Sequence, residues 1–301
     1  MSVATERQVR LARAPLRPAA PEVGFVHGAA ASLSDIWGRR DLLMRLTRRE
    51  IRARYKDSVL GIVWSLIRPL VSLLIYVLVI GKVMGAERAI ADFAIYVFTG
   101  LTAWQLFSDI LSTSTSSIVG NSGIIKKIQL PREIFPLASV GASLFNFAMQ
   151  FLILLLATLV IRPPVVGISL IYLPLALVLL LVWSTAFGLI LAAANVYLRD
   201  IQYLVEVVLL VGMWASPIVY SWDMVTSLTA GRGLLEEIYL ANPVTLVIMG
   251  FQRTMWAAGA GANTAPHLMT RMVVSLIIGA VALIIGQRVF SVLQRNFAQE
   301  L

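Results

Sequence analysis

The stretch Leu46–Leu70, LTRREIRARYKDSVLGIVWSLIRPL, decides how the chain is read. Its first half is strongly basic, with Arg48, Arg49, Arg52, Arg54 and Lys56 inside nine residues. Its second half turns apolar at Ser58 and stays so, apart from Arg68, until Gly81. A basic amphipathic segment running straight into an apolar one marks the cytoplasmic surface of a membrane and a first crossing. Composition agrees. The 301 residues are 58% hydrophobic and only 14% charged, whereas a soluble domain carries about a quarter charged residues. So much apolar surface needs lipid. The apolar runs are long and continuous, so the expected class is an all-α polytopic membrane protein and not a barrel of alternating strands.

Upstream, residues 1–31 are rich in Ala, Pro and Arg and hold no apolar run of the ~7–15 residues of a signal peptide. They read as a disordered cytoplasmic tail. Residues 32–56 read as an amphipathic interface helix. Ser32 and Asp35 have capping-box spacing. Leu43, Thr47, Ile51 and Tyr55 step by four, flanked by Leu42 and Leu46, and the other face is arginine. Such a helix can lie in the membrane interface with its cations toward anionic headgroups. It can equally offer those cations to a cytoplasmic partner.

Downstream, six apolar segments follow, at about 58–82, 93–117, 136–161, 168–195, 201–220 and 267–290. Each is long enough to cross about 30 Å as a helix. With the N-terminus inside, nineteen of the 25 Lys and Arg fall on the cytoplasmic side. That imbalance predicts N-in and C-in, with 296–301 as a cytoplasmic tail. The loop 121–135 is cytoplasmic and holds a short helix ending before Pro131. The outer loop between the fifth and sixth spans is long. Pro243 to Ala258 is too short to span and too apolar for a free loop, and Asn242-Pro243 is a helix-start signal. This predicts re-entrant outer helices within 234–258.

No catalytic constellation is visible. There is no G-x-x-x-x-G-K-[ST] phosphate loop. There is no cysteine, and His27 and His267 are far apart, which speaks against a metal site. The net charge of +9 fits the positive-inside bias better than nucleic-acid binding. The informative residues are polar groups at membrane depth. Arg68, Asp109, Asn146 and Gln150 suggest a polar layer in the cytoplasmic half, with Arg68 close enough to pair with Asp109. The alternative is that Arg68 snorkels to the interface. Glu206 reads as a local charge at the inner interface. Trp64, Tyr76 and Trp214 fit no single aromatic belt, and aromatic faces suit stacking on sugar rings in a channel. Pro217, beside Tyr220, bends or breaks the fifth span. With Asn242 and Pro243 it reads either as part of an outer gate or as a plain kink.

Five motifs carry a family resemblance: RYKDSVLGIVWSLIRPL at 54–70, LPREIFPLASV at 130–140, NVYLRDIQYL at 195–204, ASPIVYS at 215–221 and NPVTLVIMGFQR at 242–253. In order and spacing the chain resembles the permease subunit of ABC-2 type polysaccharide exporters, those of O-antigen, capsule, teichoic acid and wall galactan. The resemblance covers about residues 34–295, so that 57–295 would form the transmembrane domain. It implies an export function without catalysis in this chain, with ATP and Mg2+ held by a separate ATPase subunit. The interface helix, with Arg48, Arg49 and Arg52, would rest on that ATPase. The loop 121–135, with Lys126 and Lys127, would be a coupling helix. Two copies of the chain would enclose a channel lined by the first and fifth spans, and 234–258 would gate it on the outside. The cargo would be a lipid-diphosphate-linked glycan. The other readings are an ABC-2 exporter of a drug or small lipid, and a membrane scaffold with no transport.

Overall fold

The computed structural model describes residues 37–55, 63–126, 130–164, 167–229 and 232–301. The expected tail 1–31, the Ser32–Asp35 cap and Lys127 lie outside them. Helices in chain order are α1 (Arg40–Tyr55), α2 (Trp64–Ile75), α3 (Phe93–Gly120), α4 (Ser122–Ile125), α5 (Ile134–Ile161), α6 (Tyr172–Tyr197), α7 (Ile201–Trp214), α8 (Trp222–Thr229), α9 (Gly233–Ala241), α10 (Pro243–Met255), α11 (Leu268–Leu293) and α12 (Phe297–Glu300). The described residues are helix and connections throughout, with no strand. A π-helix, Tyr76–Val83, continues α2.

Four helical stretches are long and apolar enough to cross a membrane: α3, α5, Ile168–Tyr197 and Leu268–Asn296. They coincide with four of the six expected segments. The expected first span corresponds, over its described residues, to α2 and its π-helical continuation. The expected fifth stops at Trp214, six residues early. At 14 residues, α7 reaches about 21 Å, short of the hydrocarbon thickness. The chain then leaves the helix at Ala215, just before Pro217, whose ring cannot supply the next amide. Between α9 and α10 the axis turns by 85° at Asn242. The Asn242 side chain caps the Val244 amide at 3.0 Å, and Pro243 takes the first helical position, where its missing N–H costs nothing.

The core is built on α3. It lies against α5, α6 and α10, with α7 on one flank. Phe98, Leu106, Ile110, Leu179, Ile248 and Phe251 are fully buried there. Although it belongs to the expected outer loop, α10 does not lie on a surface. Eleven of its 13 residues are buried, and it packs against α6 and α3. The second tight contact is α6 on α11. A Cβ on Gly286 would come within 2.7 Å of the Ala186 carbonyl oxygen, so a glycine there lets two backbones approach.

The structure adds detail at the two chain ends. The apolar stripe of α1 does not simply face lipid. Leu46 is buried with Ile118, Ile125, Ile134, Phe135 and Ala138. Thr47 sits directly on Gly141 of α5, where a Cβ would meet it at 2.9 Å. The helix is therefore packed on the body of the protein by its apolar face, while Arg45, Arg48 and Arg52, spaced three and four apart, are exposed. The C-terminal tail is also folded. Phe297 is fully buried, and 294–300 forms two successive helical turns. The helix expected within 121–135 is the single turn α4.

Candidate functional site

The site grows from one face of α3. Gln105, Ser108, Asp109, Ser112, Thr113 and Ser116 recur at three- and four-residue intervals and so share a face. All six are exposed or half-buried, whereas their neighbours Leu106, Phe107, Ile110, Leu111, Ser114 and Thr115 are buried. Polar groups at this depth need partners. Asp109 has them. Its Oδ2 accepts from Arg54 Nη1 of α1 at 2.9 Å and from Asn146 Nδ2 of α5 at 3.3 Å. The two charged side chains are 24% and 22% exposed, so water screens the pair only in part. The described cationic partner of Asp109 is thus Arg54. Arg68 is carried on α2, and its side chain lies outside the described residues.

Three adjoining cavities follow this face. The middle one, about 260 Å3, is lined by Arg54, Trp64, Pro69, Gln105, Asp109, Ser143, Asn146 and Gln150, among others. Pro69, Gln105 and Gln150 are shared with a second, about 450 Å3, which adds Ser72, Tyr76, Trp104, Ser108, Ser112, Glu206 and Met213. Arg54 is shared with a third, about 560 Å3, which opens among Arg49, Glu50, Thr113, Ser116, Asn121 and Ser139. The Arg54–Asp109 pair stands where the first and third meet. Together they make a polar path along α3, bounded by α1, α2, α5 and α7.

Most of the candidate channel residues meet here. Trp64, Asp109, Asn146 and Gln150 line one cavity, and Tyr76 lines its neighbour. Trp214 is edge-on to Tyr76, with ring centroids 6.4 Å apart. The Tyr76 hydroxyl also lies 3.6 Å from Met213 Sδ. Gln105, Glu206 and Arg54 line these cavities but were not among the channel candidates. Gln105 carried a usable signal, because it sits one turn before Asp109 on the same face. Glu206 lines the second cavity and is not merely an interface charge. Arg54 had no such signal, because its partner is 55 residues away.

The cationic candidates divide. Arg48, Arg52 and Lys126 are exposed, and Lys127 lies outside the described residues. Arg49 is turned inward, donating to Glu50 at 2.8 Å and to the Asn121 side chain that ends α3. On the same side, burial pulls the Arg132 guanidinium pKa below its ordinary value, against the opposing pull of Glu133 and then Tyr197.

The gate candidates are joined at the opposite end. The Pro217 carbonyl accepts from Gln252 Nε2 of α10 at 2.8 Å. The Tyr96 hydroxyl donates to the Tyr220 carbonyl at 2.7 Å and lies 3.3 Å from the Pro217 carbonyl. Tyr220 in turn donates to the Trp214 carbonyl at 3.1 Å, and Tyr239 of α9 lies 3.3 Å from the Tyr220 hydroxyl. The broken end of α7 is thereby held by α3, α9 and α10. Gly100 permits this, because the Ile218 backbone passes 3.2 Å from where its Cβ would be. Asn242 and Pro243 belong to the α9–α10 bend and are not in these cavities. Among the described residues no group of His, Asp and Glu could hold a metal ion.

The chain matches a family described as ABC-2 type transporter over residues 41–256. The chain belongs to the ABC-2 type transporter family. It is similar to an O-antigen export system permease protein RfbA of Myxococcus xanthus, 30% identical over 72% of this chain and 81% of the relative. It is also similar to the protein of the same name in Klebsiella pneumoniae, 26% identical over 86% of this chain and 94% of the relative. A shorter match, 33% identical over 76 residues, is to the polysialic acid transport protein KpsM of Escherichia coli. This ABC-2 chain is a transporter membrane subunit and a multi-pass inner-membrane protein.

Proposed function

We propose that the chain is the permease of an ATP-driven exporter that moves a lipid-linked polysaccharide out of the cytoplasm. The observation that carries this reading is similarity over 86% of the chain to a permease named for O-antigen export. The polar path along α3 supports it. So do the aromatics Trp64, Tyr76 and Trp214 beside that path, whose flat faces suit a sugar chain. In this reading the chain crosses six times, N-in and C-in. The first and fifth crossings, α2 with its π-helical continuation and α7, are completed by a second copy.

The uncovered faces of those two elements support pairing of copies. Val71, Leu74, Ile75 and Leu78 on one, and Leu204, Val207, Val208 and Val211 on the other, are exposed. The exposed cations Arg48, Arg52 and Lys126 meet a separate ATPase subunit, which holds ATP and Mg2+. ATPase closure pushes on α1 and α4. The push reaches the path through Arg54–Asp109 and Arg49–Asn121. The bent pair α9–α10, with Tyr220 and Pro217, opens the outer end.

The test is depletion of the protein in its host, followed by analysis of glycans on the cytoplasmic side. Accumulation of one lipid-linked glycan is the expected result. No accumulation of any such species overturns the reading.

A further inference from the structure

The cytoplasmic loop that leads into α5 is tied to the far end of the chain. The Arg132 guanidinium donates to the Gln294 carbonyl and lies 5.7 Å from the centre of the Phe297 ring. Glu133 is only 4% exposed. It accepts from Gln294 Nε2 at 3.0 Å and Ser291 Oγ at 3.4 Å. The Tyr197 hydroxyl of α6 donates to the Leu293 carbonyl at 2.7 Å. Phe297 is fully buried, with its ring edge-on to Phe290 at 5.5 Å and to Tyr197 at 6.2 Å. Outward, Arg295, Asn296, Gln299 and Glu300 are exposed.

Desolvating an arginine and a carboxylate is unfavourable unless their hydrogen bonds are met, and a satisfied buried network then holds one arrangement. Here the network joins the loop to α6 and α11. Those helices pack closely on one another through Gly286 and do not line the polar path.

We propose that the C-terminal turn, Gln294–Leu301, is a brace that fixes the cytoplasmic loop, with Phe297, Arg132 and Glu133 as positioning residues for coupling. The inference rests on the exporter reading for what the loop transmits. A loop anchored to the scaffold passes a push into α3 and α5. An unanchored loop absorbs it. The brace therefore governs how much export each ATP hydrolysis yields, not whether the ATPase binds.

The absence of cysteine allows specific spin labels at two exposed positions, Gly123→Cys and Gln299→Cys. The full chain is assembled with its co-purified ATPase in vesicles. The host's lipid-linked glycan is followed by periodate labelling at the outer face. Phe297→Ala is expected to broaden the 123–299 distance distribution. It is also expected to lower glycan exported per ATP hydrolysed by about two- to thirtyfold. Insertion and ATPase association are expected to stay unchanged, and Phe297→Leu to restore both readouts.

An unchanged distribution in Phe297→Ala, or a broadened one with the wild-type export ratio, overturns the proposal. If Phe297→Ala does not insert, Glu133→Gln and Arg132→Lys carry the same two readouts with the same criteria. A wild-type chain that retains no ATPase overturns the exporter reading instead. The label distances then decide the brace alone: a narrow distribution supports it and a broad one removes it.

Discussion

α3 and α7 touch, yet they are buried in opposite ways. α3 carries Gln, Asp and a run of Ser and Thr, and 78% of its most apolar stretch lies inside the protein. α7 is almost wholly apolar but buries only Val205 and Leu209. Seven of its large side chains, from Tyr203 to Trp214, are exposed. In water this would be inverted. In lipid an apolar side chain gains little by moving inward, so burial follows close packing and hydrogen bonding. The hydroxyls of α3 meet the need for partners locally: Thr99, Thr102 and Thr115 each donate to the carbonyl four residues back at 2.7 Å. What remains uncovered on α7, and on α2, is the surface left for lipid or a second copy.

This contrast can be broken by mutation. The largest expected effect is in the packed half. Phe251→Ala removes a fully buried ring that stands edge-on to Phe147, and should cost about 3–5 kcal/mol. Thermal unfolding of the purified chain would register it, and a change below about 1 kcal/mol would mean that α10 is not packed as described.

Next comes the polar path. Arg54→Ala leaves Asp109 short of its cation and should cost about 1–3 kcal/mol, with a loss of export. The double change Arg54→Ala with Asp109→Ala should cost less than the two single changes added. Strict additivity would show that the pair contributes nothing.

Asn242→Ala removes the side-chain cap at the α9–α10 bend and should cost about 1 kcal/mol, read as faster proteolysis of the outer loops. The smallest effect on the single chain belongs to the uncovered faces. Leu74→Ala with Val208→Ala should shift its stability by less than about 0.5 kcal/mol. Self-association, read by cross-linking in membranes, should nevertheless weaken. Unchanged association would assign those faces to lipid.

Much of this was legible beforehand, and the reasons are local. Long apolar runs at helical length specify α3, α5, α6 and α11 without any knowledge of neighbours. The Asn-Pro start of α10 is chemistry within three residues. The stripe Leu42, Leu43, Leu46 identified α1 as amphipathic, but it could not say whether lipid or protein covered that stripe. An apolar face is the same for both, and only Gly141, nearly a hundred residues on, gives Thr47 a seat. Of the seven channel candidates chosen by depth and type, helix docking brought Trp64, Tyr76, Asp109, Asn146 and Gln150 to the cavities, Trp214 only touches Tyr76, and the Arg68 side chain lies outside the described residues. Depth suggested Arg68 as the cation beside Asp109; the partner the structure describes is Arg54, carried on a different helix.

By itself, then, the sequence determined the all-helical membrane class, the basic amphipathic helix, the four helices long enough to cross a membrane and the polar residues that had to find partners. These depend on transfer energies and helix periodicity, which act within one segment. Only the tertiary structure decided that Arg54 reaches Asp109, that α7 ends at Trp214 against Gly100, α9 and α10, and that the last residues fold back onto Arg132 and Glu133. Those outcomes join residues 55 to 162 positions apart. They depend on the rotation and offset at which helices dock, which no single segment encodes.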